Sequence, residues 1–231
     1  IMVGLGRGEG EINVIGGSFE TKVNTSLPPK PMVVGFASGL GHVNVSNGTF
    51  DLGVRPAYVG GGTLAELGLE GAMPPNTHYE DMHDATGTVT VAAADLSKPC
   101  RFTTTSDIYV GKDGVGTIEL GAGGLVKATG TIALCNGAHS TLKFVCGPNG
   151  AGKVECDKLI VSQGAKLIVD VSACEVGGKG LNLVTFNSKE GEFAVADMEL
   201  VGLKPGMTYR LVQTANRIRL SSGMGLFLVV E

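Results

Sequence analysis

The chain contains no tryptophan, and aromatic residues make up only 5% of its 231 positions. Charged residues are also scarce at 17%, against a usual share of about 25%. With 43% hydrophobic residues, this excludes intrinsic disorder, which requires low hydrophobicity and high charge. The 18 basic residues are outnumbered by 22 acidic ones, for a net charge of −4. No run of Lys and Arg is interleaved with aromatics, so nucleic-acid binding has no electrostatic footprint. No apolar stretch reaches the ~18–20 residues of a membrane helix. Proline is limited to 9 positions, and glycine has no three-residue period, which excludes collagen. Cysteine occurs at positions 100, 135, 146, 156 and 174. An odd number at irregular spacing argues against a disulfide framework. With no CxxC and only four histidines, a structural zinc site is not expected. The chain opens on Ile1 in what reads as the middle of a repeat, and we expect an excised or processed piece.

Glycine is abundant: 37 of 231 residues, more than twice the usual share of about 7%. Its positions repeat. Val3-Gly4, Gly8, Gly10, Ile12, Val14, Gly17 and Phe19 are matched at identical spacing by Val34-Gly35, Gly39, Gly41, Val43, Val45, Gly48 and Phe50. A third copy runs Val110-Gly111, Gly114, Gly116, Ile118, Leu120, Gly123 and Leu125, one residue shorter in its first loop. A fourth begins Cys146-Gly147, Gly150, Gly152, Val154, Cys156 and then diverges; Val59-Gly60 looks like a degenerate start. Each unit is an apolar-Gly step, a Gly-rich turn, a short alternating strand, a second Gly turn and another short strand. Apolar residues two apart, such as Val43 and Val45, share one strand face, with polar residues such as Asn44 on the other. No unit carries enough apolar surface for a core of its own, so stacked units would have to bury it in a continuous column.

The expected fold is therefore all-β: a β-solenoid, best matched by a right-handed parallel β-helix, over residues 1–190, with an insertion at 65–86. A β-sandwich is the rival, because many short strands separated by turns also describe it. After residue 190 the Gly unit disappears and longer alternating strands follow at 209–212, 217–220 and 226–230. Residues 191–231 are expected to form a β cap, with antiparallel pairing, that covers the apolar end of the column. The VGxxxGxGxhxhxxGxh pattern at residues 34–50 resembles the Gly-rich repeats of large bacterial secreted proteins, the passenger regions of autotransporters and adhesin-like surface proteins. The resemblance implies a secreted or cell-surface location and no particular chemistry.

Three features could carry chemistry. Gly147-Pro148-Asn149-Gly150-Ala151-Gly152-Lys153 matches the first seven positions of a P-loop. The Ser or Thr that would hold magnesium is replaced by Val154, and a strand pattern follows where a helix is needed. We expect a solenoid turn and no nucleotide. The insertion concentrates Glu66, Glu70, His78, Glu80, Asp81, His83 and Asp84. If a cation binds, His78, Asp81 and Asp84 are the expected ligands, carboxylates for a hard ion and His78 for a transition metal. Without HExxH or EF-hand spacing, the plainer reading is a solvated loop. Asp51, Asp107 and Asp113 lie near turns and would suit a polysaccharide-cleaving site only if two of them met. Cys146 and Cys156 fall at apolar positions and would behave as small hydrophobes. In an exported protein, Cys135 could instead bridge to Cys146 or Cys156.

These features point to a non-catalytic secreted or surface segment that acts as a stalk or adhesive surface, with glycans or other surface proteins as partners and no cofactor. The alternative is a carbohydrate-active β-helix: a lyase, a glycosidase or a glycan-binding module. Four tyrosines are the only hydroxylated aromatic platforms it could offer a sugar.

Overall fold

The computed structural model describes residues 1–21, 29–62, 84–175 and 180–223. Among these there is no α-helix, and nearly all strand pairing is parallel. The strands fall into three faces that the chain visits in turn. The first face holds β1 (Met2–Leu5), β4 (Met32–Phe36), β7 (Ala57–Val59), β10 (Ile108–Val110) and β13 (Thr131–Leu134). The second holds β2 (Glu9–Ile15), β5 (Leu40–Ser46), β8 (Thr86–Val91), β11 (Val115–Leu120), β14 (Ser140–Val145), β16 (Lys166–Asp170) and β18 (Met198–Val201). The third holds β3 (Ser18–Glu20), β6 (Thr49–Asp51), β9 (Cys100–Thr104) and β12 (Gly124–Ala128). The long strand β15 (Lys153–Val161) runs through a corner. Its first half pairs with β12 and its second half with β13, which joins the first and third faces into one 13-stranded sheet. β17 (Leu181–Glu190) lies parallel on the whole length of β15. This all-β, parallel arrangement is of the solenoid type. The antiparallel pairing that a sandwich needs is confined to β17, β19 (Thr208–Gln213) and β20 (Arg217–Gly223).

Register aligns like with like. On the second face, Val43, Val89, Ile118, Leu142 and Leu167 pair in sequence, as do Val45, Val91, Leu120, Phe144 and Val169. The third face contributes Phe19, Phe50, Phe102, Val126, Val154 and Val184. Its first three rings lie one over another, with centroids 4.6 and 5.5 Å apart. These columns meet in one apolar cluster that includes Val14, Val45, Leu120 and Cys156, all buried. A one-residue slip would turn a strand's apolar side chains outward, so burial fixes the register.

The glycine spacing has a steric cause at the corner between the first and second faces. Gly35 has φ +74°, where an L side chain is strained. A Cβ on Gly41 would collide with the backbone nitrogen of Gly35 and the carbonyl oxygen of Val3 in the coil beneath. Gly10, Gly41, Gly87 and Gly116 stand in one pairing ladder, and the fifth coil continues it with Ser140. Ser140 is fully buried and donates its hydroxyl to Val110 O at 2.8 Å.

Four sequence expectations change here. Val59-Gly60 is not a degenerate fragment; it opens a coil of its own. Gly60 and Gly87 occupy the same corner as Gly35 and Gly41, and the insertion separates them. Thr86, placed at the insertion's end, is the first residue of β8. The fourth copy is out of phase. Cys146–Cys156 crosses the corner between the second and third faces, so Val154 pairs with Val126 and Val184 rather than stacking on Ile118. Only its glycine spacing resembles the other copies, because any tight corner under a close-packed neighbour favours Gly. The parallel column also runs past residue 190, since β18 pairs with β16. The change in pairing expected at 191 comes at β19. There β19 and β20 form a hairpin whose turn is closed by Thr214 N donating to Arg217 O at 2.9 Å, and β20 lies antiparallel on β17. The strand expected at 226–230 lies outside the described residues.

Candidate binding groove on the third face

Outward-facing residues form ladders just as inward ones do. On the third face Glu20, Asp51, Thr103, Lys127, Glu155, Thr185 and Arg217 are successive pairing partners, the last contributed by β20. Between β12, β15, β17 and the tip of the β19–β20 hairpin this surface sinks into an open groove of about 500 Å³. The tip of the hairpin contributes Asn216 and Arg217 to its lining. A second depression of about 360 Å³ lies toward the corner, lined by Lys98, Arg101 and Lys153, and shares Glu155 with the first.

Two carboxylates face the groove. Glu155 is ion-paired with Lys127 at 3.2 Å. Asp157 accepts a hydrogen bond from the Asn187 side-chain amide at 2.8 Å. Both line the same depression, Glu155 on the first half of β15 and Asp157 where that strand turns the corner. Nearby, the Lys158 ammonium contacts Glu190 at 2.7 Å and holds its carboxyl below the usual range. The groove therefore offers amide, hydroxyl, ammonium, guanidinium and carboxylate groups over a rigid sheet. These are complementary to a polyhydroxylated or mixed-charge partner.

The carboxylates suggested by sequence do not converge. Asp51 accepts from Gly53 N at 2.9 Å and the Thr103 hydroxyl at 3.1 Å on the third face. Asp107, at the corner before β10, accepts from Thr131 N and the Tyr109 hydroxyl. Asp113 lies in the turn between β10 and β11. The three belong to different faces and corners. Of the proposed cation ligands, His78 and Asp81 lie outside the described residues, and Asp84 is exposed. Among the described residues no three His, Cys, Asp or Glu side chains form a metal-binding group. The P-loop lookalike is a corner in which Gly147 and Gly150 bond each other, N to O at 2.8 and 3.1 Å, and Lys153 opens a strand. It forms no phosphate cradle at a helix N-terminus.

Sequence reading missed Glu155 and Asp157 because an outward acidic residue on an alternating strand looks like ordinary solvated surface. Only the neighbouring coils and the hairpin tip make their strand part of a groove. The ExD spacing was the available signal. No helix among the described residues is long and apolar enough to cross a membrane. Compared with protein-family models, curated proteins and solved structures, the chain shows no match.

Proposed function

We propose that the chain is a right-handed parallel β-helix displayed outside the cell, a non-catalytic stalk or adhesive segment whose third face meets glycans or other surface proteins. The observation that carries this reading is the pairing of like residues through successive coils. It yields a stiff rod with an apolar interior and a polar, regularly spaced exterior. Right-handedness follows from the strong preference for right-handed crossovers between parallel strands. Rigidity suits display, because a preformed groove binds with little ordering cost. The resemblance to autotransporter passengers and adhesins supplies the cellular setting.

The test is binding of the purified chain to a panel of neutral and acidic polysaccharides, repeated with a Lys127→Ala/Arg217→Ala double variant. Saturable binding lost in the variant is expected. Binding unchanged in the variant would remove the groove from the reading.

One observation favours a second reading, a carbohydrate-cleaving site. Glu155 and Asp157 both line the groove, and a pair of carboxylates is what glycoside cleavage requires. Product release from any of the same polysaccharides, abolished by both Glu155→Gln and Asp157→Asn, would replace the adhesive reading with this one.

A further inference from the structure

None of the five cysteines is in a disulfide, but they are not equivalent. Cys135 is half-buried after β13, at the corner between the first and second faces. It therefore does not face Cys146, which follows β14 at the next corner. Cys146 meets Cys174 instead. Val145 pairs with Asp170, Cys146 N donates to Asp170 O at 2.9 Å, and Cys174 N donates back to Val171 O at 3.0 Å in the turn after β16. This brings the two side chains from consecutive coils into the same corner of the apolar core. There they are 1% and 0% exposed within one apolar cluster, and burial together with the neighbouring Cys174 raises the pKa of the Cys146 thiol. The C-terminal hairpin lies directly above them. The Tyr209 hydroxyl reaches Cys174 O at 3.5 Å, and Tyr209, Leu220 and Ser222 pack over Cys174.

We propose that Cys146 and Cys174 are a disulfide site that links the fifth and sixth coils and is sealed beneath the β19–β20 hairpin when the chain folds in the presence of a disulfide oxidant. Cysteines on adjoining coils that share one buried corner can reach bonding geometry through side-chain torsions. In the first step one thiol loses its proton and attacks a sulfur of the oxidant, forming a mixed disulfide and releasing one thiol. The second cysteine, also deprotonated, then attacks the protein sulfur of that mixed disulfide and expels the second thiol. Two electrons pass from the cysteine pair to the oxidant, which ends as two thiols.

The timing is set by burial. In the closed core, desolvation and the neighbouring Cys174 push the Cys146 thiol up to about 12. A raised thiol pKa depletes the thiolate that exchange requires. With both cysteines 0–1% exposed beneath the hairpin, an oxidant cannot reach the pair once the hairpin has closed and can reach it before that. Cys156 is pushed up to about 12 by burial as well, and Cys100 is raised by burial. Neither has a cysteine partner recorded beside it. The proposal does not depend on where the protein works, since it concerns chemistry the folding chain can be made to show.

The test is to unfold the reduced chain, refold it with glutathione disulfide, alkylate it and map the peptides. The expected result is a single cross-link between the peptides carrying Cys146 and Cys174, with Cys100, Cys135 and Cys156 alkylated. Closing a loop of about 28 residues should raise Tm by on the order of 10 °C over the reduced form. The Cys146→Ala/Cys174→Ala variant should show no oxidant-dependent rise. Five alkylated cysteines, a bond between any other pair, or the same rise in the double variant would overturn the assignment. Glutathione disulfide added to the already folded chain should form the bond at least ~100-fold more slowly than during refolding. Equal rates would overturn the claim that the hairpin seals it.

Discussion

The first and second coils carry the same residues at the same spacing, from Val3 to Phe19 and from Val34 to Phe50. Their strands pair residue for residue. Their burial nevertheless differs. Phe50 is fully buried between Phe19 and Phe102, whereas Phe19 is 39% exposed. Ile15, just past the inward Val14, is 79% exposed, and the free edges of β1, β2 and β3 have no pairing partner among the described residues. One template thus gives a sealed layer in the interior of the stack and an open one at its end. The template fixes which side chains point inward, and the neighbouring coil decides whether that direction is dry.

Three experiments sharpen this contrast. The largest effect is expected at the glycine ladder. Gly41→Ala would push a Cβ into backbone of both its own coil and the first, where nothing flexible can give way. We expect destabilisation of more than about 3 kcal/mol, or failure to fold. Gly10→Ala meets backbone of the first coil only, at Gly4 and Val3. Its damage should stay local, visible as loss of amide-exchange protection in β1 and β2 with the rest of the chain protected. Equal loss of protection throughout would mean that the coils do not open independently.

A second contrast is expected from the stacked rings. Phe50→Ala leaves a cavity between two rings and should cost about 3–5 kcal/mol. Phe19→Ala, at a half-open site, should cost about 1 kcal/mol. Chemical denaturation of the two variants measures the difference, and similar midpoints would show that the end coil is as sealed as its neighbour.

The smallest effect is electrostatic. The Ser172 hydroxyl and backbone N–H hold the Asp170 carboxyl below its usual range. The folded-state value is lower than the unfolded one, so this stabilisation is complete above the unfolded carboxylate value of about 3.9 and is lost as pH falls through the folded value. Asp170 is solvent-accessible, so the effect is heavily screened. Melting curves should be flat from about pH 7 to 5 and shift downward below about 4, with Asp170→Asn showing a smaller acid shift. An Asp170→Asn curve that falls as steeply as the parent's would assign the acid sensitivity to other carboxylates.

Much of the fold can be read from the sequence because it is repetitive. Alternation two residues apart predicts the inward columns, and Val43, Val45, Ile118 and Leu120 lie where that rule places them. The phase of a unit is not readable from glycine spacing alone. Val154 and Cys156 obey the same spacing on a different face, because the steric demand that selects glycine at one corner also acts at another. The candidate groove was harder still. Lys127, Glu155, Thr185 and Arg217 are scattered over some 90 positions and become neighbours only through register.

The sequence by itself determined the strand-forming alternation, the tight corners and which side chains point inward, because these depend on interactions within a few residues. Only the tertiary structure decided which corner each unit turns and which outward residues share a ladder. It also decided that Cys146 meets Cys174 rather than Cys135. Those outcomes depend on the length of each detour between coils, which sets where the chain rejoins the stack.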